Sequence, residues 1–329
     1  MKFISCLLVF MPFWGIAQNP DTKQPEDRPA QPGDRSDPQK ARFVTEDIAR
    51  FWEAFDSAAV DTADAAALLK SLYLDKGTLG LKKFNEVGIK GVDALAAAIK
   101  KYRPYYESVR PRTLQIATLE DTIRKSLVKM KRLYPEARLP DIYFLVGDLN
   151  AGGKSEKEGL LIGAEVNCAD DNTDFQNLPP AVPAIFKALG FAHIPSLVAH
   201  ELVHYQQSYR FTDKNVLAYA IMEGSADFIG EKISGRSVNI VPRIYGDAHE
   251  KELWLEFEKD AHTDDLNKWL YNGGGSLERP GDLGYYIGYK ITEAYYRRSR
   301  DKARAIKEIL NITDFDAFLK ESGYGRQFE

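Results

Sequence analysis

The chain of 329 residues is 44% hydrophobic and 28% charged, with a formal net charge of −4. That is the composition of an ordinary globular protein, long enough to bury a large core. So mild an acidic balance, without any basic cluster, argues against nucleic acid as a partner.

Residues 1–17, MKFISCLLVFMPFWGIA, have one early lysine, Lys2, then an apolar run through Ile16. Gly15 and Ala17 supply small residues at a cleavage position, so the segment reads as a signal peptide. The run is too short, and too abruptly followed by polar sequence, for a typical membrane span. The expectation is export to the periplasm or cell surface, with no integral span after cleavage. Cys6 would leave with this segment, and Cys168 would then have no partner for an internal disulfide. Cys168 reads as a small, partly buried residue rather than a nucleophile. Residues 18–42 carry five prolines and almost no apolar side chains up to Lys40, the signature of a flexible leader.

From residue 43 to 329 a single domain is predicted, with a helical part over 43–139 and a second part over 140–329. Thr45 offers an N-cap, and Ile48, Phe51, Trp52 and Phe55 form the apolar stripe of a first helix. Further helical patterns run over 61–75, 80–101 and 112–133, with the look of packing elements. At Pro140 the texture changes. DIYFLVG and GLLIGAEV (159–166) are short β-type runs, and DLNAGGKSEKE between them suits a loose hairpin turn. After 180 the pattern is helical almost to the end, and no internal repeat is visible. The predicted fold class is α+β, mainly α, with a small β-sheet preceding the helix described next.

That helix is IPSLVAHELVHYQQS, residues 194–208, in a chain with only five histidines. Positions i and i+4 share one face of a helix, so His200 and His204 can grip one metal ion while Glu201 projects toward the same side. This is the H-E-x-x-H pattern of zinc peptidases, in which the glutamate is the general base. The competing reading is a chance match on an amphipathic surface helix. A catalytic zinc takes three protein ligands and keeps a fourth position open. Nineteen residues beyond His204, IMEGSADFIGE places Glu223 and Asp227 at i, i+4, with Leu217, Ile221 and Phe228 grouped on the opposite side. Glu223 fits the third ligand, and Asp227 fits an acceptor for the other ring nitrogen of a ligand histidine. Alternatively the two acids are a solvated face. Two imidazoles and one carboxylate suit one zinc ion better than iron or copper. His193, His249 and His262 fall outside the motif and read as surface or packing residues.

HELVH with EGSAD resembles the gluzincin zinc metallopeptidases, whose third ligand opens an E-x-x-x-D pattern. IYFLVG, GLLIGAE, HELVHYQQ, MEGSADFIGE and GYYIGYK together resemble a bacterial family of predicted zinc-dependent proteases. That family is classed as a domain of unknown function and is related to gliding-motility lipoproteins. The resemblance spans about Asp141 to Tyr324. It implies that His200, His204 and Glu223 bind zinc and that Glu201 activates a zinc-bound water for peptide hydrolysis.

Peptide hydrolysis also needs a donor for the oxyanion. In GDLGYYIGYK, Asp282 could cap a helix carrying Tyr285 and Tyr289 on one face, with Gly284 and Gly288 allowing close approach. The Y-x-x-G spacing of Tyr285 and Gly288 is similar to the region of the catalytic tyrosine in aminopeptidase-type gluzincins; buried packing is the alternative for both tyrosines. In the same likeness GLLIGAEV is an edge strand that pairs with extended substrate through Gly159, Leu161 and Gly163. An internal strand is the alternative. GAEVN resembles the aminopeptidase motif whose glutamate holds a substrate amino terminus, although Glu165 stands one position early. The expected function is zinc-dependent hydrolysis of a peptide or protein substrate in the cell envelope. The alternative is an inactive zinc-binding pseudo-peptidase that serves as an envelope assembly or interaction protein. A metal-free helical interaction module is a third.

Overall fold

A computed structural model of the chain describes residues 35–328 apart from 61–63, 181, 210–213, 274 and 276–278. The expected signal peptide and the leader up to residue 34 lie outside the described residues. The last part of the leader does not hang free. Leu139 donates its backbone N–H to Arg35 O at 2.8 Å, Arg124 bonds Pro38 O, and Arg42 pairs with Asp141 at 2.8 Å. Partners a hundred residues away hold this segment, and a local reading of its composition cannot show them.

Strand β1 (Phe43–Val44) leads into six helices: α1 (Glu46–Val60), α2 (Ala65–Leu69), α3 (Leu79–Val87), α4 (Val92–Lys101), α5 (Arg103–Thr113) and α6 (Glu120–Leu133). Ile48, Phe51, Trp52 and Phe55 are buried, as their 3.6-residue spacing requires. Helix α5 and the π-helical turn Lys70–Leu74 after α2 hold the ends of the sheet through tyrosines whose hydroxyls find backbone partners just beyond the strands. Tyr73 bonds Val146 O at 2.7 Å, Tyr106 bonds Gly147 O at 2.8 Å, and Tyr105 bonds Glu165 O.

The sheet adds β2 (Ile142–Leu145), β3 (Gly153–Glu156) and β4 (Gly159–Gly163), in the order β1-β2-β4-β3. β2 pairs with both β1 and β4 in parallel, and β3 pairs antiparallel with β4, Gly153 opposite Ile162. Two expectations are corrected here. The connector DLNAGGKSEKE is not the turn of a hairpin between its flanking strands; it contains β3, which forms its hairpin with β4. GLLIG is therefore an internal strand rather than the sheet edge, consistent with its complete burial.

Beyond the sheet come α7 (Ala164–Asn167), α8 (Val182–Ala188), α9 (Ile194–Gln206), α10 (Val216–Ser234), α11 (Ile240–Ala248), α12 (Glu250–Asp260), α13 (Leu283–Arg298), α14 (Lys302–Leu310) and α15 (Phe315–Ser322). No single described helix is long and apolar enough to cross a membrane. Helix α10 is buried from Val216 to Gly230 because α9 and α13 both pack against it. The approach of α13 is backbone on backbone. A Cβ on Gly288 would lie 1.7 Å from Ala220 O, and one on Gly224 would lie 2.0 Å from Tyr289 N. Gly288→Ala is therefore expected to force the helices apart and cost about 1–3 kcal/mol, read as a lowered melting temperature. An unchanged melting temperature would mean the two helices are not in this contact.

Candidate metal centre

Helix α9 opens with Pro195 in its first turn, where a missing N–H costs nothing. Ile194 and Ser196 through Gln206 are buried, so the helix is a core element and not an amphipathic surface helix. His200 and His204 are 1% and 3% exposed, and Glu223 on α10 is wholly buried. Asp227 is buried as well, so the acidic pair does not form a solvated face.

The donor atoms converge. His204 Nε2 lies 2.9 Å from His200 Nε2 and 3.1 Å from Glu223 Oε2, and His200 Nε2 lies 3.4 Å from the same oxygen. What faces the other ring nitrogens decides their chemistry. His200 Nδ1 is 2.8 Å from Asp227 Oδ1, a carboxylate oxygen that can only accept. Asn239 Nδ2 donates to the other oxygen of Asp227 at 2.8 Å. His204 Nδ1 is 2.7 Å from Gln207 Oε1, and Gln207 Nε2 donates to Met222 O and Ser225 Oγ, which leaves its oxygen as the acceptor. Both imidazoles therefore carry their proton on Nδ1 and turn an Nε2 lone pair toward Glu223 Oε2. Three acceptors aimed at one another repel unless a cation lies among them, so the donor set fits a metal ion held by His200, His204 and Glu223.

Without a metal, a proton serves as that cation. Burial alone would lower the His200 imidazole, but hydrogen bonds to Asp227 and Glu223 outweigh it and raise it to about 10. Burial likewise opposes ionisation of Glu223, yet the His204 and His200 charges bring it down to about 2. Metal binding must displace the His200 proton, so raising the pH tightens binding up to that value. The zinc Kd is expected to fall about tenfold per pH unit between about pH 7 and pH 8, with one proton released per ion. Calorimetry in two buffers of different ionisation enthalpy reads this directly; a flat profile contradicts it.

Residues 184–316 match the model of a family described as predicted Zn-dependent protease (DUF2268). The matched region runs from within α8 to the start of α15, so it holds both histidines, Glu223 and Asp227. No curated protein and no solved structure matches the chain. The family description and the three-ligand cluster both point to zinc.

Glu201 lies within this matched region, fully buried, with no hydrogen-bond partner for either carboxylate oxygen among the described residues. Burial raises its pKa against the opposing charges of His204 and His200. A Cβ on Gly153 would come within 2.7 Å of Glu201 Oε1, so the edge strand β3 presses its backbone directly against this carboxylate. Tyr285 stands beside the ligands, its ring stacked on His200 with centroids 6.4 Å apart.

Other expected site residues are placed elsewhere. Tyr289 is one turn further along α13, packed on Phe228 and under the Arg243 guanidinium, 3.9 Å from its ring. Asp282 precedes α13 but its side chain makes no cap; it accepts from Asn272 N instead. Gly159 and Gly163 do admit a close backbone, but the chain's own: Cβ atoms there would meet Asp141 O at 2.4 Å and Ala151 O at 2.0 Å. Leu161 is buried between two strand partners. Glu165 is buried under the loop after β2, where its Oε1 accepts from Leu149 N at 3.3 Å and burial raises it to about 8. The substrate-strand role expected of Gly159, Leu161 and Gly163 fails because β4 is internal, paired on both sides by β2 and β3.

Gln207, Asn239, Gly153 and Tyr271 were not anticipated. Gln207 stands three residues after His204, a helical spacing that could have marked it. Tyr271, whose hydroxyl donates to Glu223 Oε1 at 2.7 Å, sits in irregular chain with no periodic signal. Of the remaining histidines, His193 is buried and held down to about 4 by burial, His249 stacks on Tyr245, and His262 is exposed near Asp316. Burial pushes the Cys168 thiol well up, which suits a packing residue.

Proposed function

We propose that the protein is a zinc peptidase of the exported cell envelope, with Glu201 as its general base. The observation that carries this reading is the convergence of His200 Nε2, His204 Nε2 and Glu223 Oε2 beside a buried carboxylate with no hydrogen-bond partner among the described residues. Zinc bound there would supply Lewis acidity and a water of lowered pKa. Glu201, its basicity raised by burial, takes a proton on the side facing β3 and returns it to the leaving amine. Asp227 and Gln207 hold the two imidazoles in the tautomer that presents Nε2. Tyr285, alongside His200, supplies a hydroxyl for the oxyanion.

Substrate geometry follows from the sheet. Among the described residues, β3 has β4 as its only strand partner, and its Gly153 backbone lies directly against the Glu201 carboxylate. An extended peptide pairing with β3 would pass its backbone across the base. The pattern Glu223-x-x-x-Asp227 after the histidine helix supports placing this chain with gluzincins, and residues 1–17 support export. The second reading, a zinc-binding pseudo-peptidase in the envelope, is favoured by the near-complete burial of the ligands. Elemental analysis combined with a peptide-library cleavage screen separates the two: one zinc with turnover supports the enzyme, one zinc without turnover the pseudo-enzyme.

A further inference from the structure

After α12 residues 261–271 form a strap along the ligand-bearing helix α10: Leu217 and Val216 donate their backbone N–H groups to Ala261 O and Thr263 O, and Tyr271 reaches Glu223. At its base Asn272 and Asp282 bond each other twice, Asn272 N to Asp282 Oδ1 at 3.2 Å and Asp282 N to Asn272 Oδ1 at 2.7 Å. Gly284 N closes the same base on Trp269 O at 2.7 Å. Two residues here adopt the left-handed conformation despite having side chains: Tyr271 with φ 56 and Asp282 with φ 59. Such backbone costs energy and persists only where its surroundings over-determine it. Its effect here is to bring Tyr271 down onto the centre, its ring edge-on to both Tyr219 and Tyr285.

The hydroxyl then reaches only one of the two oxygens of Glu223. Oε1 accepts from Tyr271 at 2.7 Å, whereas Oε2 is the oxygen that faces His200 and His204. A free carboxylate offers both oxygens to a cation; one whose second oxygen is engaged offers one. We propose that Tyr271 is a positioning residue for the third ligand, holding Glu223 so that Oε2 alone is presented to the metal. This inference rests on the zinc-site reading above and adds to it a residue contributed by the strap.

The experiment compares wild type, Tyr271→Phe and Tyr285→Phe as purified full-length protein, stripped of metal and titrated with zinc against a chromophoric chelator. Tyr271→Phe retains the ring and its edge-on contacts and loses only the hydrogen bond to Glu223, so the metal-free protein should stay folded with a melting temperature lowered by a few degrees at most. Its zinc Kd should rise about 10–100-fold, the usual loss when a group that orients a ligand is removed. Tyr285→Phe, whose ring stacks on His200 without bonding Glu223, should keep the wild-type Kd. With cobalt in place of zinc, Tyr271→Phe should weaken the visible absorption band, because the released carboxylate can engage the ion through both oxygens. Wild-type Kd and cobalt spectrum in Tyr271→Phe would overturn the proposal while leaving the zinc site standing, as would equal losses in both variants. A wild-type protein that takes up no zinc would instead sink the site itself.

Discussion

Glu201→Gln is expected to retain zinc near wild-type occupancy and to lose peptide cleavage by about a hundredfold or more. The amide preserves shape and removes only the basic oxygen, and the proposed role of Glu201 is proton transfer without ligation. The fold should tolerate the exchange. Among the described residues neither carboxylate oxygen has a hydrogen bond to lose, and a neutral amide is easier to bury than a carboxylate. The assay needs zinc quantified in the same sample as the rate. A variant that cleaves at the wild-type rate with zinc bound would overturn the general-base role and direct suspicion to a contaminating protease.

His200→Ala, His204→Ala and Glu223→Ala should each strip most of the metal from the protein, measured as zinc per chain after dialysis against a weak chelator. Two remaining ligands hold zinc far less well than three, and each removal also disconnects a partner. Loss of His200 leaves Asp227 with only Asn239, loss of His204 frees Gln207 Oε1, and loss of Glu223 leaves the Tyr271 hydroxyl without its acceptor. One tight equivalent retained in all three variants would rule out the site as drawn.

The candidate ligand cluster could be read from the sequence because helical periodicity is a local property. His200, His204, Glu223 and Asp227 occur as two i, i+4 pairs on two long helices, and helix geometry alone places each pair on one face. The mainly helical class with a small sheet was legible for the same reason. Strand order was not, since pairing partners are chosen by long-range contacts. The polar connector hides β3 because Gly153, Lys154, Ser155 and Glu156 show little of the apolar alternation of a half-buried strand. With β3 hidden, the gluzincin likeness was free to make β4 the edge strand, which drew Gly159, Leu161 and Gly163 into the site, while Glu165 entered through the separate likeness of GAEVN. Tyr271 and Asn239 were invisible for another reason: each reaches the centre from an irregular turn whose path depends on what packs beneath it.

The backbone contact of α13 on α10 also has a dynamic consequence. Gly224 is the residue after Glu223, and it is the point where α13 lies too close for any side chain to intervene. Interdigitated side chains can slide or change rotamer under load, but two backbones in direct register resist sliding. The helix that carries the third ligand and the helix that carries Tyr285 therefore behave as one rigid body, with the base of the strap attached to it through Gly284. Opening of this buried centre is therefore expected at the β3 side, whose backbone meets Glu201, rather than between α10 and α13.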